Sequence, residues 1–167
     1  MQNRYWKKMM HLKYEITYFS LYFTKCVKFL QRTKMGLAIL SSAAIAAWAH
    51  FANLAILWGA LIALSQVAGA IIEILPIQKR ISELSSMIGQ LSLLYVDMES
   101  KWNDVYSGNY SEEEINRVLY EFENKKTLID NKYFSDDSFE KDEDIKKQAE
   151  NELARYVDVT FKEDDHV

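Results

Sequence analysis

Apolar residues recur along the chain in two patterns, and each pattern predicts a different structure. Over residues 5–30 and 77–105 they follow alternating spacings of four and three, which is typical of packed, heptad-type helices. Between these stretches, residues 35–72 form a run of 38 residues without Asp, Glu, Lys or Arg. The heptad stretches predict two helices, each about 45 Å long. Because one runs toward the uncharged segment and the other away from it, we expect them to pair antiparallel.

The uncharged segment predicts a transmembrane hairpin. As a single helix it would be about 57 Å long, nearly twice the ~30 Å hydrocarbon core, so two crossings joined by a tight turn fit better. The polar spot at His50 and Asn53 places that turn at about residues 50–53, and Pro76 closes the second crossing. A buried hairpin in a soluble fold is the alternative, although so long an uncharged run is rare there. Basic flanks predict that both termini are cytoplasmic.

The predicted fold is an all-α membrane protein, in which a two-span transmembrane helical hairpin stands on a long cytoplasmic helical stalk and C-terminal amphipathic helices follow. Its predicted parts are a basic amphipathic helix at 1–34, the hairpin at 35–75, a heptad helix at 76–106 and an acidic helical region at 107–167.

Two further helices are predicted within the acidic region. Ser111 and Glu114 form a capping-box pattern that begins one of them. A polar stretch at 135–144 interrupts the apolar pattern, and a last amphipathic helix is expected at about 145–159. Its inward residues are expected to be Ile145, Ala149, Leu153 and Tyr156. The final residues, 162–167, are expected to be a frayed acidic tail.

Charge is distributed unevenly over these parts. The net charge of the whole chain is −4, but residues 1–34 carry +7, residues 35–72 carry none and residues 73–167 carry −11. Lys25, Lys28, Arg32 and Lys34 directly precede the uncharged segment, and we expect them to meet anionic lipid headgroups.

The composition argues against an enzyme. Five glycines and one proline leave no Gly-rich phosphate loop, and the single cysteine, Cys26, forms neither an intramolecular disulfide nor a zinc site. The three histidines are scattered, and no nucleophile motif is present. The acidic cluster at 136–144 lacks the glycine and spacing of a Ca²⁺ loop. We therefore expect no catalytic residue, no metal and no cofactor.

The second predicted span carries a polar stripe. Gly59, Gln66 and Glu73 are seven residues apart and share one helix face, while Ser65 and Gly69 form a small-xxx-small pair. One interpretation is helix packing through Gly59, Ser65 and Gly69. The other is a water-filled pathway at the centre of an oligomer, because a polar group at bilayer depth avoids lipid. The candidate pore-lining residues are Gln66, Glu73 and Asn53.

Basic and aromatic residues also cluster near the N-terminus. Arg4, Lys7 and Lys8 share one face with Trp6 alongside, at about 40 Å from the predicted bilayer if the stalk is straight. Such a set can hold a phosphate-bearing ligand or a single nucleic-acid strand, so Arg4, Lys7, Lys8 and Trp6 are the candidate ligand-binding residues. The competing interpretation is that these residues pair with the acidic region.

The overall layout resembles the SLATT family of bacterial two-transmembrane effectors. The most similar stretches are YFTKCVKFLQRTKMGLAILSS at the start of the uncharged segment and QAENELARYVDVTF near the end. The resemblance implies a multi-pass protein of the bacterial inner membrane that acts in anti-phage defence. It also implies that such an effector permeabilises the membrane in abortive infection. A nucleotidyltransferase partner, or its nucleotide or oligonucleotide product, would control it.

Together these expectations describe a homo-oligomeric ion channel, with a tetramer favoured, that is gated by a nucleotide-type signal and depolarises the membrane. The alternative is a non-conducting membrane scaffold that anchors a soluble partner. A holin-like lysis protein is a third possibility, but holins usually lack a cytoplasmic region of this size.

Overall fold

The computed structural model describes the backbone of residues 1–50, 55–74, 77–134 and 142–161. This part of the chain forms five α-helices: α1 (Gln2–His50), α2 (Ala55–Ile74), α3 (Ile77–Tyr106), α4 (Glu112–Phe134) and α5 (Glu143–Phe161). Within the helices, side chains are described except at residues 40–41, 43–50, 55, 57–58, 71–74, 77–78 and 134. The predicted turn at 50–53, Pro76, most of the polar stretch at 135–144 and the acidic tail at 162–167 lie outside the described residues.

The chain divides into two compact units. Unit 1 comprises residues 1–23 and 83–167, and unit 2 comprises residues 24–82. The helices α1 and α3 each contribute residues to both units, while α4 and α5 belong to unit 1.

The beginning of α1 packs against the end of α3 in unit 1. The amide of Gln2 donates to the carbonyl oxygen of Val105 at 2.9 Å, and the Tyr5 hydroxyl donates to the carbonyl oxygen of Met98 at 2.8 Å. This register confirms the antiparallel pairing that the heptad patterns predict for the part of the stalk within unit 1. The buried core residues that α1 and α3 contribute are Tyr5, Met9, Met10, Leu12, Leu84, Met87, Leu91, Leu94, Tyr95, Met98 and Val105.

Local sequence signals set the α3–α4 connection. After Tyr106 the chain turns at Gly108, whose φ of 76° lies in the left-handed region that glycine adopts without a Cβ penalty. The next helix begins with the predicted capping box: the amide N–H of Glu114 donates to Ser111 Oγ at 3.2 Å, and the amide N–H of Ser111 donates to Glu114 Oε2 at 2.8 Å. The carboxylate of Glu114 thus accepts from the amide N–H of Ser111 and also from its hydroxyl, and these two hydrogen bonds hold the pKa of Glu114 below its usual value.

The last helix, α5, lies against the same core. Asp142 caps it, because its Oδ1 accepts from the amide N–H of Ile145 at 3.1 Å. Ile145 and Ala149 are buried, and Leu153 and Tyr156 are partly buried against the core, so the predicted inward face is confirmed.

The predicted transmembrane hairpin is wrong for the described part of the chain. The uncharged run is divided between two helices, and its first part is the continuation of the same α1 that carries the N-terminal basic residues. Among the described residues, no helix combines the length and the apolar character that crossing a bilayer requires.

Candidate functional site

The four predicted ligand-binding residues do not converge on one point. The Arg4 guanidinium donates to Asn116 Oδ1 at 3.3 Å, and Lys8 forms an ion pair with Glu123. The indole of Trp6 packs inward, 5.0 Å from the Trp102 ring and 4.8 Å from the Phe161 ring. Lys7 is exposed. Lys8 therefore fits the competing interpretation, in which these residues pair with the acidic region. Trp6 belongs to the aromatic core.

A shallow surface concavity of about 510 Å³ lies over these N-terminal residues, and Asn3, Arg4, Lys7, Lys8 and His11 line it. Unit 1 as a whole carries 14 Lys/Arg against 23 Asp/Glu, which is a net charge of −9. A polyanion approaching the concavity meets that field, and long-range repulsion slows its association. Ligand binding at this face stays a prediction.

A tyrosine–carboxylate cluster ties α5 to α3. The hydroxyls of Tyr95 and Tyr156 lie 2.9 Å apart, and both reach Glu99 Oε1, at 2.9 and 2.6 Å. Lys13 Nζ lies 4.0 Å from the centre of the Tyr156 ring, a cation–π contact that adds α1 to the cluster. Burial, together with the hydrogen bonds to each other and to Glu99, raises the pKa of Tyr95 far above its usual value. Neutral phenols are therefore the stable form in this cluster.

The candidate pore residues of unit 2 have different surroundings. Gln66 is exposed on the surface of the chain. Glu73 lies in α2, but its side chain is outside the described residues, as is Asn53 entirely. No common pathway through these three residues can be traced within the described part of the chain, and their role in a pore stays a prediction.

The candidate packing residues fall on two sides of α2. Ser65 is buried and donates to the carbonyl oxygen of Ile62 at 2.8 Å, and Gly69 is half-buried, whereas Gly59 is exposed. A Cβ added at Gly59 or Gly69 would meet no heavy atom within 4 Å, so neither glycine is required by a close approach from within the described chain.

An exposed apolar stripe runs along the other side of α2. Ile56 is 91% exposed, Leu64 66% and Val67 56%, and these positions are spaced by eight and three residues, so they share one helix face with the exposed Ala60 and Ala63. Three large apolar side chains of α1 in the same unit are also exposed: Phe29, Met35 and Ile39. We call these residues the apolar surface of unit 2. An exposed apolar stripe such as the one on α2 marks a surface that something else covers.

Basic side chains occupy both sequence ends of unit 2. Lys25, Lys28, Arg32 and Lys34 lie in α1 on either side of Phe29, Lys79 and Arg80 follow α2 in the sequence, and all six are exposed. Glu73 is the unit's one acidic residue, so its net charge is +5. The sequence identified these basic residues, but the apolar run was interpreted as a transmembrane hairpin, so the exposed stripe on α2 was not predicted as a surface feature.

Similarity to known proteins assigns no site in this chain. No family model, curated protein or solved structure matches this chain. Within the described residues, no cluster of His, Cys, Asp and Glu side chains has a metal-binding arrangement. The resemblance to SLATT proteins and the expectation of no enzymatic activity stay predictions.

Proposed function

We propose that this protein is a membrane-associated scaffold, in which unit 2 attaches to an anionic bilayer surface and unit 1 is the helical head that receives a partner. The observation that carries this proposal is the apolar surface of unit 2 together with the six basic residues of the same unit. The pore, the tetramer and the nucleotide signal stay predictions, and the scaffold requires none of them.

Two energetic contributions support attachment to lipid. Apolar side chains gain roughly 25 cal/mol per Å² on leaving water. Each Lys or Arg close to an anionic surface adds about 1 kcal/mol at physiological ionic strength. An apolar face with basic flanks is the usual composition of segments that lie in a membrane interface. The inner leaflet of a bacterial membrane, which the SLATT resemblance implies, offers the matching chemistry.

The opposite charge of unit 1 supports its role as the receiving part. Its net charge of −9 disfavours contact with an anionic surface, and its apolar core is already buried by its own helices. A soluble partner with a basic surface fits this head better than lipid does.

Vesicle flotation of the full-length protein tests the proposal. With vesicles of 30% phosphatidylglycerol in phosphatidylcholine, we expect wild type to float, and with pure phosphatidylcholine we expect at least tenfold weaker binding. Changing Lys25, Lys28, Arg32 and Lys34 to Gln should reduce the preference for the anionic vesicles, because about 4 kcal/mol of attraction is lost while Lys79 and Arg80 remain. The double variant Leu64→Glu/Val67→Glu should lower binding to both vesicles.

Leu93→Glu is the matched control, since Leu93 is 72% exposed but lies in unit 1, and it should float like wild type. The proposal would be contradicted if wild type stayed in the dense fraction with anionic vesicles at low salt. An oligomer that forms without detergent and does not bind vesicles would also contradict the proposal, because a second copy of the chain would then cover the apolar surface.

A further inference from the structure

A cavity of about 140 Å³ opens within unit 1, between α1, α3 and α4. Its walls are apolar and almost wholly buried: Leu12, Leu94, Met98, Leu119 and Phe122. The size is close to that of an engineered cavity of about 150 Å³, lined by Leu, Ile and Phe, which stays dry and binds benzene.

The wall around Phe122 is held in place by its neighbours. The Tyr5 ring meets the Phe122 ring edge-on at 6.2 Å, and Lys101 Nζ lies 4.9 Å from the centre of the same ring. The Tyr5 hydroxyl in turn donates to the carbonyl oxygen of Met98, another wall residue. Packing on the far side thus keeps Phe122 from collapsing into the space, and the flexible Met98 thioether adapts to what fills it.

Charged side chains surround the mouth and neutralise one another. Lys8 and Glu123 form an ion pair there. Lys126 Nζ lies 2.8 Å from Asp130 Oδ2 and 3.2 Å from Glu15 Oε2. Burial alone would lower the pKa of Lys126, but these two carboxylates outweigh it and raise that pKa. His11 Nε2 lies 3.2 Å from Glu15 Oε1.

This balance of charges excludes an ionic ligand. Each lysine at the mouth already has a carboxylate, so an anion would have to displace one, and a cation would have to enter an apolar cavity. A neutral ring meets neither obstacle. A single hydroxyl or N–H on the ring can remain at the mouth and donate to Glu123.

We propose that the cavity formed by α1, α3 and α4 is a binding site for a small uncharged molecule built on one aromatic ring, with at most one polar group. Occupancy would add contacts among three helices of unit 1, so it stabilises the docking of α4. This site is separate from the lipid attachment proposed for unit 2, and each can fail without the other.

Fluorine NMR of the full-length protein tests the site with fluorobenzene, 4-fluorophenol, 4-fluorobenzoate and 1-fluoronaphthalene as probes. We expect broadening of the two neutral one-ring probes, competition between them for one site, and at least tenfold weaker binding of the benzoate and of the two-ring probe. Loss of broadening on adding unlabelled phenol should report the shared site.

A matched pair of variants locates the site. Leu94→Phe places a larger ring in the wall, which narrows the cavity and should weaken fluorobenzene binding, while Leu93→Phe, at the adjacent exposed position, should leave it unchanged. Circular dichroism checks that each variant is folded. Should Leu94→Phe not fold, Leu94→Ala enlarges the cavity and should admit the naphthalene probe.

Three results would overturn the proposal. The first is no broadening of either neutral one-ring probe by wild type at millimolar concentration. The second is unchanged binding by folded Leu94→Phe. The third is binding of the benzoate or the naphthalene probe by wild type as tight as that of fluorobenzene.

Discussion

The two units of this chain use apolar residues in opposite ways. In unit 1, α1, α3, α4 and α5 turn their apolar faces toward one another, and the buried side chains are nearly all hydrophobic. In unit 2, large apolar side chains such as Ile56 and Leu64 are exposed, and the one described buried residue is Ser65. Both units are helical, and α1 supplies residues to both. The difference in apolar burial between the units therefore comes from their side chains and not from their secondary structure.

Aromatic chemistry separates the units further. All ten tyrosines lie in unit 1 and none lies in residues 24–82. Tyrosine combines a large apolar ring with a hydroxyl that finds a partner when buried, as Tyr5 and Tyr95 do here. Unit 1 thus has a buried apolar core in addition to exposed apolar side chains such as Leu93, whereas unit 2 exposes apolar side chains and has no described buried apolar residue.

Shortening a buried leucine should have the largest effect. Leu91 is fully buried, so Leu91→Ala is expected to lower the free energy of unfolding of unit 1 by about 3 kcal/mol. Leu93→Ala, two residues along and 72% exposed, should change it by less than about 0.5 kcal/mol. Hydrogen exchange of the slowest α3 amides in unit 1 measures both. Similar losses in the two variants would contradict the burial of Leu91.

The same substitution in unit 2 sharpens the comparison. Leu64→Ala should leave hydrogen exchange in unit 1 unchanged, because Leu64 is 66% exposed and belongs to the other unit. Its expected effect is on vesicle flotation instead, where apolar area has been removed from the attaching surface.

Alkaline pH should destabilise unit 1 selectively. The folded state raises the pKa of Tyr95, first through burial and then through its hydrogen bonds to Tyr156 and Glu99, and burial also raises the pKa of Tyr5. Their stabilising contribution is therefore complete below the unfolded pKa of about 10 and is lost as the pH rises toward the folded values. The slope per buried tyrosine is at most about 1.4 kcal/mol per pH unit.

Urea unfolding between pH 9 and pH 11.5, followed by circular dichroism and by hydrogen exchange, measures this loss. Tyr95→Phe should have a shallower pH dependence than wild type, because one titrating group is gone. Tyr120→Phe is the control, since Tyr120 is 69% exposed. Equal slopes in wild type and Tyr95→Phe would show that Tyr95 does not keep its proton in the folded state.

Local signals in the sequence were enough to predict α3, α4 and α5 closely. The heptad pattern is interrupted at Ser107, Gly108 and Asn109, and the predicted end of α3 at Tyr106 is confirmed. The capping box at Ser111 predicted the start of α4. Residue 34 ends the basic part of the sequence, but α1 continues through it to His50. The change at that point is one of composition, and Ala and Leu extend a helix as readily as charged residues do.

The candidate sites were harder to predict because they depend on what meets in space. The Tyr95–Tyr156 pair joins residues 61 positions apart, and the cavity takes its walls from three helices. Periodicity placed Met98 and Leu119 on apolar helix faces but could not indicate that the side chains around them leave a space. Apolar composition likewise could not distinguish a segment that crosses a bilayer from one with an exposed stripe on a single face.

The smallest expected effects come from two glycines that play opposite parts. Gly108 has a φ of 76°, so Gly108→Ala should destabilise unit 1 by about 1 kcal/mol and lower its Tm by several degrees. Gly59 lies inside α2 with open space around its Cβ position, so Gly59→Ala should stabilise that helix by up to about 1 kcal/mol. Hydrogen exchange of α2 and of the α3–α4 connection separates the two effects. If Gly59→Ala instead weakened the exchange protection of α2, a close contact at Gly59 would have to cover this face, and the exposed stripe on α2 would be smaller than the structure indicates.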